Sequence, residues 1–244
     1  VFYNWDRNAY GERDMVDLLA HSLNVGAVWL TTQMGPDTFY RYVRAFGFGA
    51  PTGVDLQGEA AGQVRMPGDL DWHDSDLGAN AFGQGLAATP LQVISAFAAV
   101  ANDGQLMRPY VVARQILPDG TEIDSQPVVR GQPISPETAH TLSEMMAQAM
   151  ERNMPLAQVP GYRIAGKSGT AQIPIPGGYD PQATIASFVG FGPVEEPRIV
   201  VLVRLDRPQA SPWGSQTAAP TFQRVASQLF SLLAIPPREQ TAGD

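Results

Sequence analysis

Between residues 163 and 206 three strand-like segments follow one another closely: RIAGKSGTAQI, TIASFVGFGP and RIVVLVRLD. The stretches between them are shorter than the dozen or so residues that a crossover between parallel strands requires, so neighbours must pair antiparallel. The third segment is a continuous apolar run, which predicts a buried, central strand. The chain ahead of this region has helical grammar. Residues 14–20 and 24–34 carry apolar side chains at helical spacing, and TPLQVISAFAAVAND is the strongest helix, with Thr89 as N-cap, Pro90 in the first helical position and Gly104 beyond its end. SPETAHTLSEMMAQAMERN repeats the pattern with Ser135 and Pro136, and a last helix is expected over 218–234. Residues 47–68 are so rich in Gly and Pro that they read as loop. Helices, then adjacent strands, then a helix make an α+β fold, an antiparallel sheet flanked by helices. Residues 1–235 are expected to form one unit and 236–244 a tail.

Composition narrows what such a fold can do. A net charge of -8 leaves no basic face for a polyanion, so no nucleic-acid partner is expected. With no cysteine there are no thiolate metal sites, and His21, His73 and His140 lack ligand spacing, so neither a metal nor a cofactor is expected. No apolar run of about 20 residues offers a membrane span. The opening VFYNWDRNAYGERDM lacks a signal-peptide pattern and reads as the interior of a longer protein.

The chain uses arginine fifteen times and lysine once, at Lys167, between Gly166 and the pair Ser168-Gly169. Successive strand side chains point to opposite faces, so Lys167 and Ser168 reach one ligand only if it lies along the strand's edge. Gly166 and Gly169 suit a close approach there, and an extended peptide could pair with that edge, its carboxylate meeting Lys167, Ser168 and Thr170. For the three residues Lys-Ser-Gly alone, a surface lysine beside a turn is the favoured reading, since so short a motif recurs by chance. Ser22-Leu23-Asn24 forms a second group: residues two apart share no helix face, so Ser22 and Asn24 converge only in the turn between the two early helices. Ser22 could instead simply cap the following helix. Gln84 lies between two glycines, as at a tight helix-entry turn. Trp72, Trp213 and Tyr179 are read as partly buried, with groove lining as the alternative, and Asp74 and Asp76 as a solvated loop.

Taken in order, HSLNVGA, FGFGAPTGVDLQGEAAG, NAFGQGLAATPLQVISAFAAVANDGQLMRPYVV, YRIAGKSGTAQ, SFVGFGP and RIVVLVRLD resemble the transpeptidase domain of penicillin-binding proteins, most closely the monofunctional class B enzymes. The resemblance runs from about residue 14 to 232. It implies a β-lactamase/transpeptidase-like fold with a helical lobe beside the sheet, of which this chain is the C-terminal, larger part. Of the family's three motifs, Ser-x-Asn matches Ser22-Leu23-Asn24 and Lys-Ser/Thr-Gly matches Lys167-Ser168-Gly169. The Ser-x-x-Lys motif, which carries the nucleophile, matches nothing here, and is expected upstream of Val1. This chain alone is therefore expected to be inactive. An apolar trough is expected in the helical lobe where that motif's helix belongs, filled by the preceding part of the same protein.

The resemblance further implies a peptidoglycan D,D-transpeptidase that crosslinks stem peptides ending in D-Ala-D-Ala and is acylated by β-lactams. Ser22, Asn24 and Lys167 would be catalytic, Ser168, Gly169, Thr170 and Gln84 substrate-binding, with no cofactor. Lys167 would supply a compact charge to a carboxylate and a proton network, a task for which a forked guanidinium is a poor replacement. The implied setting is the extracytoplasmic face of the bacterial membrane, with an anchor ahead of this chain and divisome or elongasome proteins as partners. A serine β-lactamase or β-lactam sensor, or a noncatalytic wall-binding scaffold, are the alternatives.

Overall fold

The computed structural model describes residues 1–238, without the side chains of 181 and 182. The helical lobe begins with α1 (Met15–His21), α2 (Asn24–Met34) and α3 (Pro36–Ala45), followed after a Gly/Pro-rich passage by α4 (Asp74–Ala81) and α5 (Pro90–Ala101). Two small antiparallel pairs come next, β1 (Leu106–Met107) with β4 (Val129–Gly131) and β2 (Arg114–Ile116) with β3 (Glu122–Asp124). The long helix α6 (Pro136–Asn153) leads into the main sheet, β5 (Ala165–Ile175), β6 (Gly178–Gly192) and β7 (Ile199–Asp206), and α7 (Ala218–Leu232) closes the fold.

The expected caps form. Thr89 accepts from the Gln92 amide while the Gln92 side chain accepts from the Thr89 amide, and Ser135 accepts from the Thr138 amide at the start of α6. The three-stranded sheet is antiparallel throughout, in the order β5-β6-β7. That order corrects one expectation: the continuous apolar strand β7 is an edge strand, and β6 is central. β7 reads as apolar on both faces because α7 packs on one and α5 on the other. Two-sided helix cover, not a central place in the sheet, selects its composition.

Alternation along β6 sorts the core. Phe188, entirely buried, faces α7 and packs with Phe222, Ala226 and Phe230, whereas Phe191, three residues on, faces the other way onto Val100 of α5 and Met146 of α6. Ile235 belongs to the α7 core, and the Arg238 amide donates to Gly161 at 2.8 Å, so the first residues of the expected tail lie against the body. The rest of that expected tail, residues 239–244, lies outside the described residues.

Two helices had no signature in the sequence reading. α3 buries Tyr40, and α4 buries Asp76, Gly78 and Asn80. This corrects the solvated-loop reading of Asp76. Its carboxylate accepts from the His73 amide at 2.8 Å, capping α4, and pairs with Arg65 at 3.3 Å, while Asp74 is exposed. No described helix is long and apolar enough to cross a membrane.

Candidate active site

The turn between α1 and α2 holds the first group. α1 starts on Asp14, whose carboxylate accepts from the Asp17 amide at 2.7 Å, and ends on Ser22 in the left-handed conformation, φ 52° and ψ 53°. Left-handed backbone costs a non-glycine residue of order 1–3 kcal/mol, and such residues gather at functional sites. Ser22 does not cap the following helix. The residue before α2 is Leu23, and the Val25 amide is taken by the side chain of Asn4 at 3.2 Å. The Ser22 hydroxyl is therefore spared from capping.

Helix α6 sets the distance from this turn to the sheet. Arg152 of α6 bonds Asp17 at 2.9 Å and Asp14 at 3.3 Å, and Asn153 donates to the Ala20 carbonyl at 2.9 Å. The same helix packs against β5. Across that bracket, Lys167 Nζ donates to Ser22 Oγ at 3.0 Å and to the Ser168 carbonyl at 2.9 Å. Burial pushes the Lys167 amine down from 10.5 to about 8, and no carboxylate pairs with it among the described residues. Because Ser22 Oγ accepts from Lys167, the hydroxyl keeps its own proton for another acceptor.

β5 is the free edge of the sheet, as a ligand-pairing strand must be. Its register pairs Lys167 with Val189, Ser168 with Phe188 and Thr170 with Ala186. Directly opposed residues share a face, so Ser168 and Thr170 lie on the α7 side with Phe188, and Lys167 on the side of Ser22. The strand glycines serve the sheet itself. A Cβ on Gly166 would meet the Phe188 ring at 2.8 Å and one on Gly169 the Ser187 hydroxyl at 2.6 Å. Close approach is real at both, but by neighbouring strand atoms.

The remaining expected residues are less tightly joined. Asn24 opens α2 and its amide donates to the Tyr3 carbonyl at 3.1 Å, so its bonded partner is residue 3 rather than Lys167. Gln84 is partly buried in the turn that leaves α4, its amide donating to Ala79 at 3.0 Å, which corrects the helix-entry reading. The Tyr179 hydroxyl, at the far end of the β5–β6 hairpin, donates to the Gln84 carbonyl at 3.4 Å. Tyr179 and Trp213 are exposed, contrary to the partly buried reading, whereas Trp72 is partly buried with its indole donating to the Tyr40 hydroxyl at 2.9 Å. Trp213 stacks edge-on against Trp5 with ring centroids 5.2 Å apart.

Sequence reasoning missed Asn4, Trp5 and Gly214. Gly214 donates its amide to Thr170 Oγ1 at 3.0 Å. A lone glycine in SPWGSQT gives no signal of that contact. In the helical lobe an apolar groove of about 570 Å³ runs between the first fifteen residues and α2, lined by Tyr3, Tyr10, Leu18, Leu23, Val25 and Trp29.

Comparison with known proteins decides the family. Residues 1–227 match the penicillin-binding protein transpeptidase domain. The chain belongs to that family. It is 34% identical over 245 residues to stage V sporulation protein D of Bacillus subtilis, covering 96% of this chain and 37% of that protein. It is 37% identical over 227 residues to penicillin-binding protein PbpB of Mycolicibacterium smegmatis, covering 88% and 35%. The crystal structure of Mycobacterium tuberculosis penicillin-binding protein 3 with ampicillin superposes with a TM-score of 0.85 at 32% identity, over 93% of this chain and 53% of that one. The chain thus spans about a third of the curated relatives' length, 37% and 35% for the two named. The α+β, transpeptidase-like architecture expected from the sequence is the one these neighbours share.

Proposed function

We infer that this chain is the larger, C-terminal part of a peptidoglycan D,D-transpeptidase domain, working with a nucleophilic serine supplied by a preceding segment of the same protein. The observation that carries the reading is the 3.0 Å bond from Lys167 to Ser22, which joins residues 145 positions apart in a family whose motifs they match. In the reaction, the serine attacks the carbonyl of the D-Ala-D-Ala peptide bond, the terminal D-alanine leaves as its amine, and the acyl group passes to an amine of a neighbouring stem peptide. β-Lactams acylate the same serine. The ampicillin bound to the mycobacterial neighbour supports this as a ligand class.

The tasks divide among the residues. The hydroxyls of Ser168 and Thr170, on one face of the free edge strand beside Gly169, bind the terminal carboxylate. The Thr170 amide supplies half of an oxyanion hole, the serine's own amide the other half. Lys167, partly neutral near pH 8, supports the first-motif lysine electrostatically and passes hydrogen bonding to Ser22, whose free proton goes to the leaving amine. Asn24 orients the acyl side chain, and Gln84 borders the cleft. The setting is extracytoplasmic, with divisome or elongasome proteins as partners.

Labelling of the complete protein by a fluorescent penicillin tests this. Lys167→Ala should slow acylation by at least about a hundredfold, the scale of losing one electrostatic group. Intact mass spectrometry of chain 1–244 alone should show no penicilloyl adduct. Wild-type labelling in Lys167→Ala, or an adduct on the isolated chain, would overturn the reading.

A further inference from the structure

We propose that Gly214 is a positioning residue for the carboxylate subsite, a reading that rests on the proposed function. A threonine hydroxyl has one proton and two lone pairs. Gly214 N–H donates to Thr170 Oγ1 at 3.0 Å, and this is the hydroxyl's only bond among the described residues. With one lone pair held from the α7 side, the proton has no protein acceptor and is left for an anion at the free edge of β5. The amide thus orients the Thr170 hydroxyl as a donor, the role a carboxylate needs.

The position is built for glycine by space alone. Gly214 has none of the left-handed backbone that makes glycine necessary elsewhere in this chain. A Cβ there would instead fall well inside 3.0 Å of two backbone carbonyl oxygens, those of Gly169 and Ser187, which are fixed in the β5–β6 ladder and cannot give way. Any side chain must lift the 213–217 turn off the sheet and break the bond to Thr170. The turn is braced on both sides. The Thr184 hydroxyl of β6 donates to the Pro212 carbonyl at 2.7 Å, and the Ala219 amide of α7 donates to the Gly214 carbonyl at 2.9 Å. Gly214 therefore couples the start of α7 to one hydroxyl of the edge strand.

The test compares acylation of the complete protein by benzylpenicillin and by its methyl ester, which keeps the lactam and loses the anion. Gly214→Ala should lower the rate with the carboxylate by about tenfold to a hundredfold, the scale of a hydrogen bond to a charged group, and leave the ester rate within about twofold. Thr170→Val should lose the preference for the carboxylate as well, and the double variant should lose no more of that preference than Thr170→Val does. Hydrogen exchange of the peptide containing 213–217 should quicken in Thr170→Val, because the Gly214 amide loses its acceptor.

A folded Gly214→Ala that keeps its preference for the carboxylate, or loses both rates equally, would overturn the proposal while leaving the transpeptidase reading standing. Wild-type acylation with no preference for the carboxylate would do the same. If Gly214→Ala does not fold, the exchange measurement decides, and an amide as protected in Thr170→Val as in wild type is fatal. A wild type that no β-lactam acylates removes the parent reading, and this one with it.

Discussion

Lys167 is held where its charge is disfavoured, and that has a pH signature. Its amine is pushed down to about 8 in the folded chain against 10.5 when exposed. Below pH 8 both states carry the proton and the folded state bears the full burial penalty. Between about 8 and 10.5 the unfolded chain binds more protons than the folded one, so this residue's contribution to stability rises with pH, and above 10.5 the penalty is gone. Lys167→Met should therefore be more stable than wild type at pH 7, by at most about 3 kcal/mol, with the advantage vanishing near pH 10.5; denaturant titrations at both pH values check it. Ser22→Ala should slow acylation with little change in melting temperature, since its hydroxyl caps no helix. Asn24→Ala should also lose about 1 kcal/mol, because it forfeits the bond to Tyr3. These residues stood out in the sequence only through the ordered set of segments that resembles the family, since Lys-Ser-Gly and Ser-x-Asn are each too short to carry a role alone. Their geometry was not legible, as Ser22 reaches Lys167 only through the intervening α6.

At the scale of elements, what the sequence disclosed follows where each one draws its stability. α5 and α6 announce themselves through local chemistry, a Thr or Ser cap followed by proline and a run of good helix formers. α4, DSDLGANA, has Gly and Asn inside it and little local reason to be helical. Distant partners hold it, Asn80 donating to the Tyr40 hydroxyl at 2.8 Å and Asp76 pairing with Arg65. β7 misled in the other direction, because an apolar run reports cover on two faces and says nothing of neighbours in the sheet. The α5 terminus gives a sharp contrast between local and tertiary cost. Thr89→Ala removes a cap and should cost about 1 kcal/mol in urea unfolding. Gly104→Ala should cost distinctly more, since φ is +80° there and the new Cβ would collide with the Ile134 carbonyl.

Across the whole molecule, apolar surface stays uncovered in the helical lobe beside α2 and, in the sheet lobe, along α7 at Val225 and Leu232. Trp29 and Tyr3 are each 61% exposed on the groove beside α2. Apolar surface gathered in one place binds other apolar surface. The chain 1–244 alone should accordingly enhance the fluorescence of an apolar dye, and Trp29→Ala should cut that enhancement by about half; a dye response unchanged by the substitution would place the exposed surface elsewhere. The groove is walled on one side by residues 2–15, a stretch to which the sequence reading assigned no place in the lobe. A last consequence comes from the solitary lysine. An amine-directed reagent has one side-chain target in all 244 residues, and that target is the nitrogen resting on Ser22. Apart from the α-amine, acetyl mass gained would then come from that one nitrogen, so a routine labelling reaction becomes a gauge of how accessible the contact with Ser22 is.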